Sequence, residues 1–204
     1  PEIISPSPDG AHNWNPIAFS PATGLVYLAA KSGEQMLHPP DPNFKYDPNR
    51  VNIGMQAMYD GPLAAKMSTF PPAVGELVAW DPVKQKEAWR VKQPTVESGG
   101  VLATGGNLVF QGRADGTLAA YRANDGKQVW SFDTGTGIIA PPVTYSVGGT
   151  QYVTVMAGWG GAPGLFNAPG SGPVKPGFAR VLTFALGGTA TLKATPYGHK
   201  EPPS

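Results

Sequence analysis

The chain alternates short apolar runs with turn-forming residues, and nowhere does it sustain a helical period. Asn107-Leu108-Val109-Phe110-Gln111 is a short apolar run, Ala114-Asp115-Gly116 a turn, and Thr117 to Arg122 a second run. Ala123-Asn124-Asp125-Gly126 then turns the chain into Lys127 to Phe132. Runs of this length between Gly and Asp clusters predict three consecutive antiparallel strands joined by tight turns. The same grammar recurs at Ile17 to Ala30 around Pro21-Ala22-Thr23-Gly24, and at Pro142 to Ala157 around Gly148-Gly149. Phe178 to Leu186 predicts one more strand.

These runs repeat. Gly75-Glu76-Leu77-Val78-Ala79-Trp80 followed by Trp89 matches Gly116-Thr117-Leu118-Ala119-Ala120-Tyr121 followed by Trp130, at a constant offset of 41 residues. A unit of that length is too short to bury its own apolar face and must stack on copies of itself, and the period suits four-stranded propeller blades. Three to four blades can be assembled on a period of about 40 residues. Two stretches break the rhythm and predict long loops, 31–74 and 160–176. Residues 1–190 are read as blades, and 191–204, polar and proline-bearing, as a linker or tail.

Composition narrows the classes. Gly (27) and Pro (23) are abundant and charged residues only 14%, which favours turns over helices. A net charge of +1, with no basic run, gives no footprint for nucleic acid or anionic lipid. No apolar stretch is long enough to predict a membrane span. The absence of Cys excludes disulfides, thiolate metal sites and haem attachment within these residues. His12, His38 and His199 lack metal-ligand spacing, and Asp41, Asp47 and Asp60 sit in turn contexts that account for them. Trp89 and Trp130 read as packing residues, the indole set against the neighbouring repeat while its N–H finds a backbone carbonyl.

Ala120-Tyr121-Arg122-Ala123-Asn124-Asp125-Gly126-Lys127-Gln128-Val129-Trp130 resembles the tryptophan-docking repeat of quinoprotein dehydrogenases; the earlier copy has Gln85-Lys86 where that pattern has Gly. His12-Asn13-Trp14-Asn15-Pro16, Thr23 to Tyr27, Ala79 to Pro82, Asn107 to Gly112, Gly135 to Tyr145 and Ala157 to Gly161 are together similar to the C-terminal part of PQQ-dependent, quinohaemoprotein-type alcohol dehydrogenases. The resemblance implies an all-β fold, the last blades of an eight-bladed β-propeller. It implies oxidation of alcohols to aldehydes with PQQ and Ca²⁺ in the periplasm, electrons passing to cytochrome c or a similar acceptor, with haem c on a separate domain. The metal there polarises the quinone, and a catalytic Asp takes the alcohol proton as hydride passes to the cofactor.

Residue by residue, it places Asn13 and Trp14 against the cofactor, and the Gly160 loop, with Gly161 and Ala162, near its carboxylates. An amide suits a quinone because its N–H groups can donate where negative charge develops. The catalytic Asp and the Ca²⁺ ligands are expected in earlier blades, in the remainder of the propeller, so no catalytic residue is assigned here. Glu97-Ser98 departs from the family's Trp-Asn before Gly99-Gly100, which bears on alcohol specificity. The readings without the resemblance are an Asn in a turn beside a core Trp, and a propeller acting as a non-catalytic protein-binding scaffold or a cofactor-free sugar-binding one.

Overall fold

A computed structural model describes residues 2–6, 10–33, 36–38, 40–49, 52, 54, 65, 69–159, 175 and 177–193. Its strands form three antiparallel sheets and one small ribbon. The first sheet is β2 (Ala18–Ser20), β3 (Leu25–Ser32), β5 (Val74–Asp81) and β6 (Lys86–Lys92), in that order. The second is β7 (Ser98–Ala103), β8 (Leu108–Arg113), β9 (Thr117–Arg122) and β10 (Gln128–Asp133). The third holds β11 (Val143–Val147), β12 (Thr150–Ala157) and β13 (Arg180–Ala185), while β1 (Glu2–Ile4) pairs with β4 (Met36–His38). In every sheet each strand pairs with its successor in the same sheet, the up-and-down order of propeller blades.

The 41-residue repeat is structural. Trp89 pairs with Ala79 across β5 and β6, and Trp130 pairs with Ala120 across β9 and β10. Leu77 and Leu118, both without solvent exposure, sit on the third strand of their sheets. Leu77 packs with Ala119 and Tyr121 of the second sheet, and Leu118 packs with Ile138 and Val155 of the third. Each repeat therefore buries one face on the next, as its length requires. The middle sheet is covered on both faces, which is why Leu118 to Tyr121 is buried without interruption instead of alternating.

Tryptophan docking is visible between the first two sheets. The indole N–H of Trp89 donates to the Ala123 carbonyl over 2.9 Å, and the Tyr27 hydroxyl donates to the same carbonyl over 3.1 Å. Burial pushes the Tyr27 phenol above its usual range, partly offset by its bond to Thr23, so it stays a neutral donor. Gly126, at φ +71°, lies under the Trp89 ring: a Cβ there would stand 2.6 Å from a ring carbon. Gln85 occupies the matching position of the first sheet and takes the same left-handed turn, at φ 51°. A side chain there costs about 1–2 kcal/mol of backbone strain. Gln85→Gly is accordingly expected to raise the unfolding free energy by about 1 kcal/mol, read by denaturant titration. An unchanged midpoint would mean that the turn is unstrained.

One expectation needs correction. The stretch 31–74 is not a loop throughout: it includes the end of β3, the whole of β4 and the start of β5. Strand β7 includes Ser98-Gly99-Gly100. Gly99 and Gly100 serve close approach, since Cβ atoms there would meet the Ala140 carbonyl oxygen at 2.7 Å and the Pro16 ring at 2.6 Å. The end sheets keep apolar side chains uncovered within this chain, Phe19 and Trp80 on the first and Tyr145, Met156 and Val181 on the third. Such faces suit a ring continued by further blades.

Candidate functional site

Up-and-down order fixes which connections share an end of the stack. Segments entering the first strand of each sheet (10–17, 93–97, 134–142) and the β8–β9 connection (114–116) lie at one end. The turns at 21–24, 82–85, 104–107, 123–127 and 148–149 lie at the other. Contacts between sheets bear this out: Ala114 and Gly137 both bond through backbone to Lys175. Asn13 and Trp14, which the resemblance assigns to the cofactor, belong to this end.

Residues 11–16 cross from the first sheet to the second and are held on both sides. The Ala11 carbonyl accepts from the Lys31 N–H over 2.8 Å, and His12 Nδ1–H donates to the Ala29 carbonyl over 2.7 Å. Toward the second sheet, the Asn15 amide donates to the Ser98 carbonyl over 2.7 Å and Pro16 accepts from the Val101 N–H over 3.0 Å. Asn13 and Trp14 lie between these anchors. Trp14 is 52% exposed, and the exposed Asn13 amide has no hydrogen bond among the described residues. Within this chain Trp14 joins neither buried cluster.

Beneath this segment lies a small solvent-open depression of about 10 Å³, lined by His12, Asn13, Ala29, Ala30, Lys31 and Glu97 among others. Lys31 Nζ and Glu97 Oε1 are 2.5 Å apart, with side chains only 15% and 23% exposed. The pairing joins β3 to the connection just before β7 across 66 positions of sequence, so no local pattern announces it. Ser98 is buried, and its hydroxyl accepts from Gln111 Nε2 over 3.1 Å. Gln111 in turn bonds Gln93, which accepts from the Tyr121 hydroxyl. The Glu97-Ser98 departure is thus absorbed into a polar seam between the sheets.

Gly160, Gly161 and Ala162 lie outside the described residues, as do Asp60 and His199. Trp159 packs against Gly137, where a Cβ would meet its ring at 2.7 Å. Asp41 and Asp47 cap their turns by accepting from the Asn43 and Asn49 N–H groups. Among the described residues no three His, Cys, Asp or Glu side chains converge on a metal site, and no helix is long and apolar enough to cross a membrane.

Residues 1–153 match the family model described as "PQQ: Glucose/ethanol/alcohol dehydrogenase, beta-propeller domain". The chain is 42% identical over 196 residues to a quinohemoprotein alcohol dehydrogenase of Pseudomonas putida, covering 94% of this chain and 27% of that protein. It is 44% identical over 192 residues to 1-butanol dehydrogenase (cytochrome c) of Thauera butanivorans, again covering 27% of the relative. The crystal structure of quinohemoprotein alcohol dehydrogenase from Comamonas testosteroni superposes with a TM-score of 0.78 at 38% identity, over 95% of this chain and 29% of that one. The chain thus spans about a quarter of the length of the curated relatives it matches.

Proposed function

Because the chain belongs to the PQQ β-propeller family of glucose, ethanol and alcohol dehydrogenases, we propose that it contributes one wall of the cofactor site of a periplasmic alcohol dehydrogenase. The observation that carries this reading is the clamped segment 11–16, which holds Asn13 and Trp14 outward between anchors on two sheets. A free amide and an uncovered indole fit a planar, oxygen-rich ligand: the amide donates to an oxygen at its edge, and the ring covers a face. Bound PQQ, with Ca²⁺, would supply two-electron oxidation of an alcohol to an aldehyde, the electrons leaving for a cytochrome c or similar acceptor.

Asn13 and Trp14 are assigned to hold the cofactor, and Gly161 and Ala162, outside the described residues, to its carboxylate side. Holding the amide in place beforehand matters, because a donor that need not reorganise stabilises developing charge at no further cost. The catalytic Asp, the Ca²⁺ ligands and any haem c domain are assigned to segments outside these residues. The test is reconstitution of the full-length protein with PQQ and Ca²⁺. Quinone absorbance retained through desalting, with alcohol-dependent dye reduction, is expected; retention without dye reduction by any alcohol would point to a scaffold.

A further inference from the structure

Strand β7 does not run evenly along β8. Ser98 pairs with Arg113 and Val101 with Gln111, so Gly99 and Gly100 stand opposite Gly112 alone, the two-against-one count of a β-bulge. Segment 11–16 is seated on both flanks of this bulge: the Asn15 amide donates to the Ser98 carbonyl over 2.7 Å, and the Val101 N–H donates to the Pro16 carbonyl over 3.0 Å. All three positions within the bulge are glycine, so the seat admits the Pro16 ring but has no side chain of its own to stiffen it. The side-chain hold comes from beneath. Gln111 has no solvent exposure, and its Nε2 donates to the Ser98 hydroxyl over 3.1 Å.

That bond ends a chain with one direction. Arg113 can only donate, so the Tyr121 hydroxyl accepts from it over 3.4 Å and gives its own proton to Gln93 Oε1, at 3.2 Å. This turns Gln93 Nε2 toward Gln111 Oε1, at 3.2 Å, and Gln111 Nε2 toward Ser98. Gln93, Ser98 and Tyr121 are buried with Gln111. An apolar side chain of the same shape could fill such a space at little cost in stability, whereas a satisfied buried network fixes one geometry.

We propose that Gln111 is a positioning residue: by holding Ser98 it sets the bulge under Asn15 and Pro16, and with it the place of the Asn13 amide. This rests on the reading of Asn13 as a cofactor contact. A displaced amide is still present but no longer meets the oxygen it stabilises, and misplacement of about 1 Å can cost roughly a hundredfold in rate.

The test uses the full-length, PQQ-loaded protein, with turnover measured on 1-butanol. Gln111→Met, similar in length but without the bond, is expected to lower turnover about tenfold, a smaller loss than in Asn13→Ala because the amide remains but is not held. PQQ affinity, read by fluorescence titration of the unloaded protein, should weaken about threefold, because Trp14 rides on the same segment. Placed on Asn13→Ala, Gln111→Met should lower turnover by less than about twofold further, since the group it positions is gone and only independent effects multiply. Ser98→Ala removes the hydroxyl and keeps the carbonyl that holds Asn15. It should repeat this pattern, and it carries the test if Gln111→Met does not fold. Val109→Ala, on the same strand and equally buried, controls for lost core packing and should keep wild-type turnover below its melting range. Wild-type turnover in Gln111→Met and Ser98→Ala, losses that multiply in full with Asn13→Ala, or an equal loss in Val109→Ala overturns the proposal, while the loss in Asn13→Ala alone keeps the cofactor reading. An Asn13→Ala variant that matches wild type overturns both.

Discussion

Gly126→Ala should lower the unfolding free energy by about 2–5 kcal/mol, the sum of two separable costs. The first is backbone: at φ +71° a Cβ crowds its own peptide, at about 1–2 kcal/mol. The second is packing. The new methyl would stand 2.6 and 2.9 Å from two carbons of the Trp89 ring and 2.9 Å from Val91, so the indole must leave the Ala123 carbonyl or the turn must open. Forcing a methylene into a filled contact costs about 1–3 kcal/mol. Gly24 provides the control, since it has nearly the same φ, +69°, and nothing within 4 Å of its Cβ position. Gly24→Ala should therefore show the backbone cost alone. Denaturant titrations of both variants in the full-length protein, with tryptophan emission as probe, separate the two. Equal losses would show that Trp89 is not docked on Gly126.

The repeat was legible in the sequence for the same reason that this glycine is sensitive. A blade that stacks on its copies must reproduce the stacking residues at fixed intervals, so Leu77 and Leu118, and Trp89 and Trp130, recur together. Turn glycines recur with them, and the substitution at Gln85 stands out because φ stays left-handed while the residue changes. Strand β7 escaped because Ser98-Gly99-Gly100 resembles a turn in isolation; only Pro16 and Ala140, brought close from either side, require small residues there. β1 and β4 were equally invisible, being three-residue strands paired across 34 positions.

The site was less legible than the fold. Asn13 and Trp14 could be singled out only by resemblance, since Asn-Trp has no intrinsic chemistry that marks it. Their uncovered state comes from anchors at Ala29, Lys31, Ser98 and Val101, residues far away in sequence. Lys31 and Glu97 illustrate the limit further. Each read alone is an ordinary surface charge, and the departure at Glu97 gave no hint of its partner; only the packing of β3 on the connection before β7 makes them a pair.

Asn13→Ala in the PQQ-loaded, full-length enzyme should reduce turnover a hundred- to thousandfold while cofactor affinity changes little. The argument is one of differential stabilisation. An amide donor at the edge of a quinone strengthens as that oxygen gains charge, and removing such a preorganised donor typically costs about 2.7–4 kcal/mol, felt in the transition state more than in binding. Trp14 should behave oppositely. Its uncovered indole supplies area and shape, so Trp14→Ala should weaken PQQ retention first, with turnover at saturating cofactor falling less. Asn15→Ala makes a third arm: it leaves the Asn13 amide in place but removes the bond to Ser98 that steadies the segment, so turnover should fall by less than in Asn13→Ala. Rapid-quench turnover and fluorescence titration of PQQ give the two quantities for all three variants. If Asn13→Ala turns over at the wild-type rate and retains PQQ with the fold intact, the clamped segment is a strut between sheets and its two outward residues belong to no site.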